Sequence, residues 1–353
     1  MNRLIIILGL FVVMCQEVEA QQMPLFSQYI ENGFLLNPAM AGSRQYSPIR
    51  LSIRQQWVGV DGAPETQALS YNTNLGKACT TCPVYGNPFA SRNNKMGVGL
   101  GGYVFNDSYG VVSRTGMEFS YAYHLRLSGR KYGSSGTKLS FGLGGLFYQY
   151  KFDGSAVPAD DPLYTGTDEV SYVPDANFGV YLYNDDYFVG ISMAHLFQSS
   201  VRLGDDNFQD DLMKRHLYAM AGYTFHVSET VDFEPAVIVR KTFDSDLYYD
   251  ISSKLFIQNF WLAASYRTNN QIVGMIGLNY DRYYFGYSYD YYSDNLVASS
   301  SNGTHEITLG INLDVPVSVI RRNQSKIRRA SYKAYSRSQR KSYRKRHKKF
   351  LFF

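Results

Sequence analysis

The sequence predicts an all-β protein: a transmembrane, antiparallel, up-and-down β-barrel of about fourteen strands, with an N-terminal pre-strand segment and a basic C-terminal tail. Three observations carry this reading. Two alternating faces recur along almost the whole chain. In 117–127 the odd positions are Met117, Phe119, Tyr121, Tyr123, Leu125 and Leu127, and the even ones Glu118, Ser120, Ala122, His124 and Arg126. A period of two is that of a β-strand, whose side chains alternate faces. Such segments repeat at a length of about ten residues, which is what a tilted strand needs to cross a bilayer. Finally, an export signal stands in front: Met1-Asn2-Arg3, an apolar run from Leu4 to Met14, then Val18-Glu19-Ala20. Residues 1–20 therefore read as a signal peptide cut after Ala20.

The elements follow in order. Strands are expected at 48–58, 66–74, 96–105, 111–127, 137–150, 176–184, 187–196, 215–226, 231–243, 245–258, 260–269, 271–279, 283–292 and 304–314. Alternation is clean where Ile49, Leu51, Ile53 and Trp57 oppose Arg50, Ser52, Arg54 and Gln56. It is equally clean where Ile307, Leu309, Ile311 and Leu313 oppose Thr308, Gly310 and Asn312. Outer-membrane barrels keep short periplasmic turns, longer outer loops and both termini inside. Starting inside, the short connections Asp185-Asp186, Val227 to Thr230, Asn259 and Asp281-Arg282 fall on the periplasmic side, and the long ones at 151–175 and 197–214 outside. The exception is 75–95. No later apolar stretch reaches the roughly 18 residues of a membrane helix. The 31 Tyr and 30 Gly suit aromatic girdles and a curved, closely packed wall.

Residues 21–47 precede the first strand and carry Phe26, Tyr29, Phe34, Leu35 and Asn37-Pro38. Such a segment is too apolar to stay solvated, and it is expected to pack at the periplasmic mouth. The barrel proper is 48–314. The tail, 321–353, holds fourteen Lys/Arg and no Asp/Glu, leaving 21 basic against 30 acidic residues in the rest of the chain. It cannot bury a core, so it reads as a disordered periplasmic tail. Its charge would suit nucleic acid, but an exported location points instead to acidic periplasmic partners, cell wall or anionic membrane.

Little in the chain suggests catalysis. The six His are scattered, with neither a G-x-S-x-G elbow nor an HExxH. Charges on the expected inner face (Arg50, Arg54, Glu118, Arg126, Asp250, Lys254, Arg267, Asp290, Glu306) are of mixed sign. That balance suits a cross-strand network better than a pore selective for one sign. Neither cofactor nor metal is expected. Cys79 and Cys82 form a CxxC, which can be a redox motif, half a zinc site or a local disulfide. No βαβ pattern or second ligand pair accompanies it, and an exported compartment favours the disulfide.

The start of the mature chain is more specific. It reads Gln22-Met23-Pro24-Leu25-Phe26-Ser27-Gln28-Tyr29, then Asn37-Pro38-Ala39-Met40-Ala41-Gly42-Ser43. Arg54-Gln55-Gln56-Trp57-Val58-Gly59, Pro64-Glu65-Thr66 and Ser70 follow. These words closely resemble the PorP/SprF family of the type IX secretion system of Bacteroidota. The resemblance implies a non-enzymatic outer-membrane barrel serving protein export, surface attachment or gliding. Implied partners are secretion-system periplasmic and outer-membrane components, a peptidoglycan-binding lipoprotein, or a large secreted adhesin. The expected contact residues are Pro24, Leu25, Phe26, Ser27, Gln28, Tyr29, Asn37, Pro38 and Gly42. A porin or small-solute transporter is the alternative, against which the apolar pre-strand segment argues.

Overall fold

The computed structural model describes residues 26–29, 31–44, 46–75, 96–128, 136–156, 167–201, 211–228, 230–242, 247–268, 270–293 and 300–314. The signal peptide, Pro24, Leu25, Cys79, Cys82 and the tail lie outside these.

Fourteen strands form the wall: β1 (Ser47–Gln55), β2 (Glu65–Asn74), β3 (Met96–Tyr109), β4 (Val112–Arg126), β5 (Lys138–Asp153), β6 (Asp168–Tyr183) and β7 (Tyr187–Ala194). The circuit continues with β8 (His216–Tyr223), β9 (Val231–Thr242), β10 (Tyr248–Ile257), β11 (Phe260–Arg267), β12 (Gln271–Tyr280), β13 (Tyr283–Tyr292) and β14 (Thr304–Leu313). Each is antiparallel to its sequence neighbour. The circuit closes where β1 meets β14, from Ser47 opposite Leu313 to Gln55 opposite His305. Closure gives every wall strand a paired neighbour on each side, as a lipid environment without water demands. Short two-residue strands at Ser200–Val201 and Asp211–Leu212 pair with each other outside the wall, and Phe225–His226 continues the pairing of β8 with β9.

The alternation seen in the sequence becomes an inside and an outside. Leu51, Ile53, Leu69, Met117, Phe119, Ile272, Leu309 and Ile311 stand exposed on the outer face, Phe119 at 69%. Arg50, Arg54, Glu118, Asp250, Lys254, Arg267, Asp290 and Glu306 are buried on the inner one. Leu309→Arg is expected to destabilise the assembled barrel by about 2–4 kcal/mol, the cost of a cation facing mid-bilayer lipid. The midpoint of denaturant unfolding in lipid vesicles checks this.

Several strand boundaries differ from the sequence reading, two of them instructively. β6 starts at Asp168, not 176, and continues through Pro174. Its pairing with β7 reaches only Phe178, so the proline lies where one side of the strand is open. That is where proline is tolerated. The expected strand 215–226 is interrupted at Thr224, although its backbone N–H donates to the Asp186 carbonyl (2.6 Å) in line with the pairing of β8 and β7, and pairing with β9 resumes at Phe225 and His226.

Both the start of β1 and the end of β14 lie at one end of the barrel, here the terminal end. The opposite end is the distal end.

Candidate functional site

Residues 26–29 and 31–44 do not stop at a mouth. They run along the lumen from the distal half to the terminal end. Ser27 bonds Arg54, Asp290, Arg267 and Glu306, each within two residues of the distal end of its strand. At the other limit, Gly42 N donates to Asn72 Oδ1 (3.1 Å), and Asn74 Nδ2 donates to the Gly42 carbonyl (2.9 Å), at the terminal end of β2. The position expected from sequence is thereby corrected: the apolar side chains find their cover in the wall interior, which is deeper than the rim.

Between these limits the segment is tied to strand after strand. Tyr29 donates to Asp250 (3.0 Å), and Glu31 pairs with Lys254, whose ammonium also lies over the Trp261 ring. Asn32 Nδ2 donates to Ser70 Oγ (3.0 Å), and Ser192 donates to the Leu36 carbonyl (2.6 Å). Asn37 caps a short 3-10 turn, Pro38–Met40, by accepting from Ala39 N (2.9 Å). Its amide donates to the carbonyls of Val180 and Ile191, bridging β6 and β7. The ring of His124 lies 2.8 Å from the Ala41 carbonyl. Apolar contacts fill the rest. Tyr29 packs with Ala194, Tyr218, Met220 and Ile238, and Phe34 edges onto Tyr103.

The wall accommodates this backbone because inner-face positions there are glycine. A Cβ on Gly99 would fall 1.9 Å from the Ala41 carbonyl oxygen, one on Gly142 2.1 Å from Ala39 N, and one on Gly179 2.0 Å from Asn37 Oδ1. Gly101 faces Phe34 and Gly286 faces Gln28 in the same way. Gly42 has φ +69°, the left-handed region that favours glycine, and sits against Thr73 and Gly99.

The distal half of the lumen holds a buried ionic cluster. Arg54 bonds Asp290 (2.7 Å) and Glu306 (3.2 Å), and Arg267 bonds Asp250 (2.6 Å) and Asp290 (3.1 Å). Gln271 adds a donor to Asp290 (2.8 Å). Carboxylates in this setting must be paired, and each of these is. Across the lumen, Glu118 accepts from Tyr103, Ser120 and Asn177, and Asp175 accepts from His195. Among the described residues no group of three metal-ligating side chains occurs.

At the terminal end, His226 lies in the short strand after β8, between Asp232 (2.7 Å) and Asp186 (3.3 Å). The hydrogen bond that its ring donates to the Asp232 carboxylate chiefly raises its pKa above the usual 6.5. The folded-state pKa is the higher one, so this tie is fully present below about pH 6.5 and is lost as pH rises through the raised value. An imidazole titration followed by NMR should show His226 titrating above 6.5, and the Asp232→Asn variant should bring it back down.

No curated protein matches the chain. A family model described as type IX secretion system membrane protein PorP/SprF matches residues 18–311. The chain belongs to the PorP/SprF family. The match takes in the lumenal segment and thirteen complete wall strands, and it ends inside β14, short of the basic tail. Among solved structures, this PorP/SprF protein is similar to the Ralstonia pickettii toluene transporter TbuX. The identity is 8%, over 80% of this chain and 93% of that one, with a TM-score of 0.45. It is also similar to the translocator domain of autotransporter NalP from Neisseria meningitidis. There the identity is 10%, over 76% of this chain and 88% of that one, with a TM-score of 0.35. The protein is an outer-membrane barrel of the type IX secretion family.

Of the residues expected to meet a partner in this PorP/SprF protein, Phe26, Ser27, Gln28, Tyr29, Asn37, Pro38 and Gly42 are all buried. In this structure they make contacts within the chain, with wall residues that include Glu306, Asp250 and the carbonyls of Val180 and Ile191. The glycine seat was missed, although its trace is in the sequence, where inner-face positions 99, 101, 142 and 179 are all Gly.

Proposed function

We propose that this PorP/SprF protein is a non-enzymatic, sealed barrel of the type IX secretion machinery that works by binding other proteins at its rims. One observation carries the reading: the lumen is occupied along its length by the chain's own residues 26–29 and 31–44. A barrel so filled is poorly suited to passing solutes, so what remains to it is a surface. The terminal end is taken as periplasmic, in keeping with the short turns there. On that side the basic tail would meet acidic components of the envelope. Partners by this reading are secretion-system periplasmic and outer-membrane components, a peptidoglycan-binding lipoprotein, or a large secreted adhesin. Export, surface attachment or gliding would be the outcome.

Two measurements test it. Purified protein in a planar bilayer should show no large steady conductance, whereas a steady open level would favour the porin reading. Capture of the tagged protein from solubilised envelopes should recover secretion-system proteins. Removal of 321–353 should leave the barrel assembled and weaken that recovery in a salt-dependent way, because an exposed charge tract is screened over about 8 Å at physiological ionic strength. Equal recovery with and without the tail, at every salt concentration, would contradict the tail's role.

A further inference from the structure

The most densely wired point of the lumenal segment is also the place where the barrel closes. The Ser27 hydroxyl has one proton and two lone pairs, and all three are used. It donates to Asp290 (2.7 Å to Oδ2) on β13, and accepts from Arg54 (2.6 Å) on β1 and Arg267 (3.0 Å) on β11. The backbone N–H groups of Ser27 and Gln28 both donate to the Glu306 carboxylate on β14 (2.6 and 3.1 Å). The Gln28 side chain adds a bond to the Glu306 carbonyl (3.4 Å). Two residues that precede the barrel thus join its first strand to its last, and both to β11 and β13. Ser27, Asp290 and Glu306 are fully buried.

We infer that Ser27 and Gln28 form a closure latch, on which β1 and β14 are brought into register as the barrel shuts. Register matters here because the side-chain period is two. A one-residue slip at the seam would turn Arg50, Ser52 and Arg54 toward lipid. It would also separate Arg54 from Glu306, its register partner. Ladder hydrogen bonds form equally well in the slipped pairing, so backbone pairing alone does not forbid it. The latch does, since only the native register sets Arg54, Asp290 and Glu306 around one hydroxyl and two adjacent N–H groups. Because Ser27 and Gln28 lie ahead of every strand, their donors are already in the chain when β14, the last strand, brings Glu306 to them. This role is independent of any secretion partner.

The test is kinetic and uses the full mature chain refolded into detergent micelles. Closure is followed by the appearance of the heat-modifiable gel form, and unfolding by its loss in denaturant. An interaction formed during closure slows folding when removed, whereas one formed afterwards speeds unfolding. Ser27→Ala is expected to slow closure about tenfold and to change unfolding less than twofold. Glu306→Gln should do the same, and Gly274→Ala, where a Cβ meets nothing within 4 Å, should change neither rate. If Ser27→Ala never closes, Glu306→Gln is read in its place. Closure at the unmodified rate in these variants, with the whole loss appearing as faster unfolding, would overturn the latch. It would leave Ser27 a packing residue only.

Discussion

Gly142→Val is expected to unseat the lumenal segment and to turn a closed barrel into a conducting one. The new side chain would have to occupy space held by backbone. A Cβ there lies 2.1 Å from Ala39 N and 2.4 Å from Ala39 Cα. Overpacking of a tight site costs typically 1–3 kcal/mol, and more when the obstacle is backbone that cannot rotate away. The wall around Gly142 is tied into β4 and β6 over its full length, while the segment is held by a limited set of bonds. The segment is the part that should yield. Single-channel recording should therefore show open events in Gly142→Val that are absent from the unmodified protein. Gly145→Val is the matched control, being on the same strand but with nothing within 4 Å of the added Cβ. Conductance in both variants would point to general damage, and conductance in neither would mean that the seat tolerates the methyls.

Arg267→Met should be among the most destabilising substitutions in the chain. Arg267 is buried and divides its guanidinium between Asp250 (2.6 Å), Asp290 (3.1 Å) and Ser27 (3.0 Å). Its loss leaves two buried carboxylates short of a cation, a situation that costs about 3–5 kcal/mol. Adding Asp250→Leu to the same chain removes one of the stranded charges. The double variant is accordingly expected to be less destabilised than the sum of the two single changes. The exposed pair Lys151–Asp168 gives the contrast, since Lys151→Ala should shift nothing measurable. Denaturant midpoints for the four variants check the ordering.

These two expectations come from different degrees of legibility. The wall was readable from sequence because lipid imposes a strict rule. Outward positions facing the hydrocarbon are apolar, so Leu309 and Ile311 announce their face, and Arg50 and Arg54 theirs. Mixed charge on the inner face pointed correctly to a network. What could not be read was the far side of each inner-face contact. Nothing local in Ser27 or Asn37 shows that one will meet Arg54, Arg267 and Asp290 and the other the carbonyls of β6 and β7. Those pairings join residues up to 263 positions apart and depend on barrel closure. Apolar content showed that residues 21–47 would be covered, but not how deeply. Depth is set by the glycines at 99, 142 and 179, whose inward placement gives the segment its channel.

The central claim is that residues 26–44 lie inside the barrel, and a cross-link across the lumen tests it most directly. Asn32 and Ser70 hydrogen-bond to each other from the segment to β2 (3.0 Å). Asn32→Cys and Ser70→Cys, in a chain whose Cys79 and Cys82 are changed to Ser, should be joined by a short thiol–thiol reagent in isolated outer membranes. The joined species should migrate distinctly on a denaturing gel, and the protein should still give no steady conductance in a bilayer. Two thiols that stay separate in correctly assembled, heat-modifiable protein would contradict the claim and place the segment elsewhere.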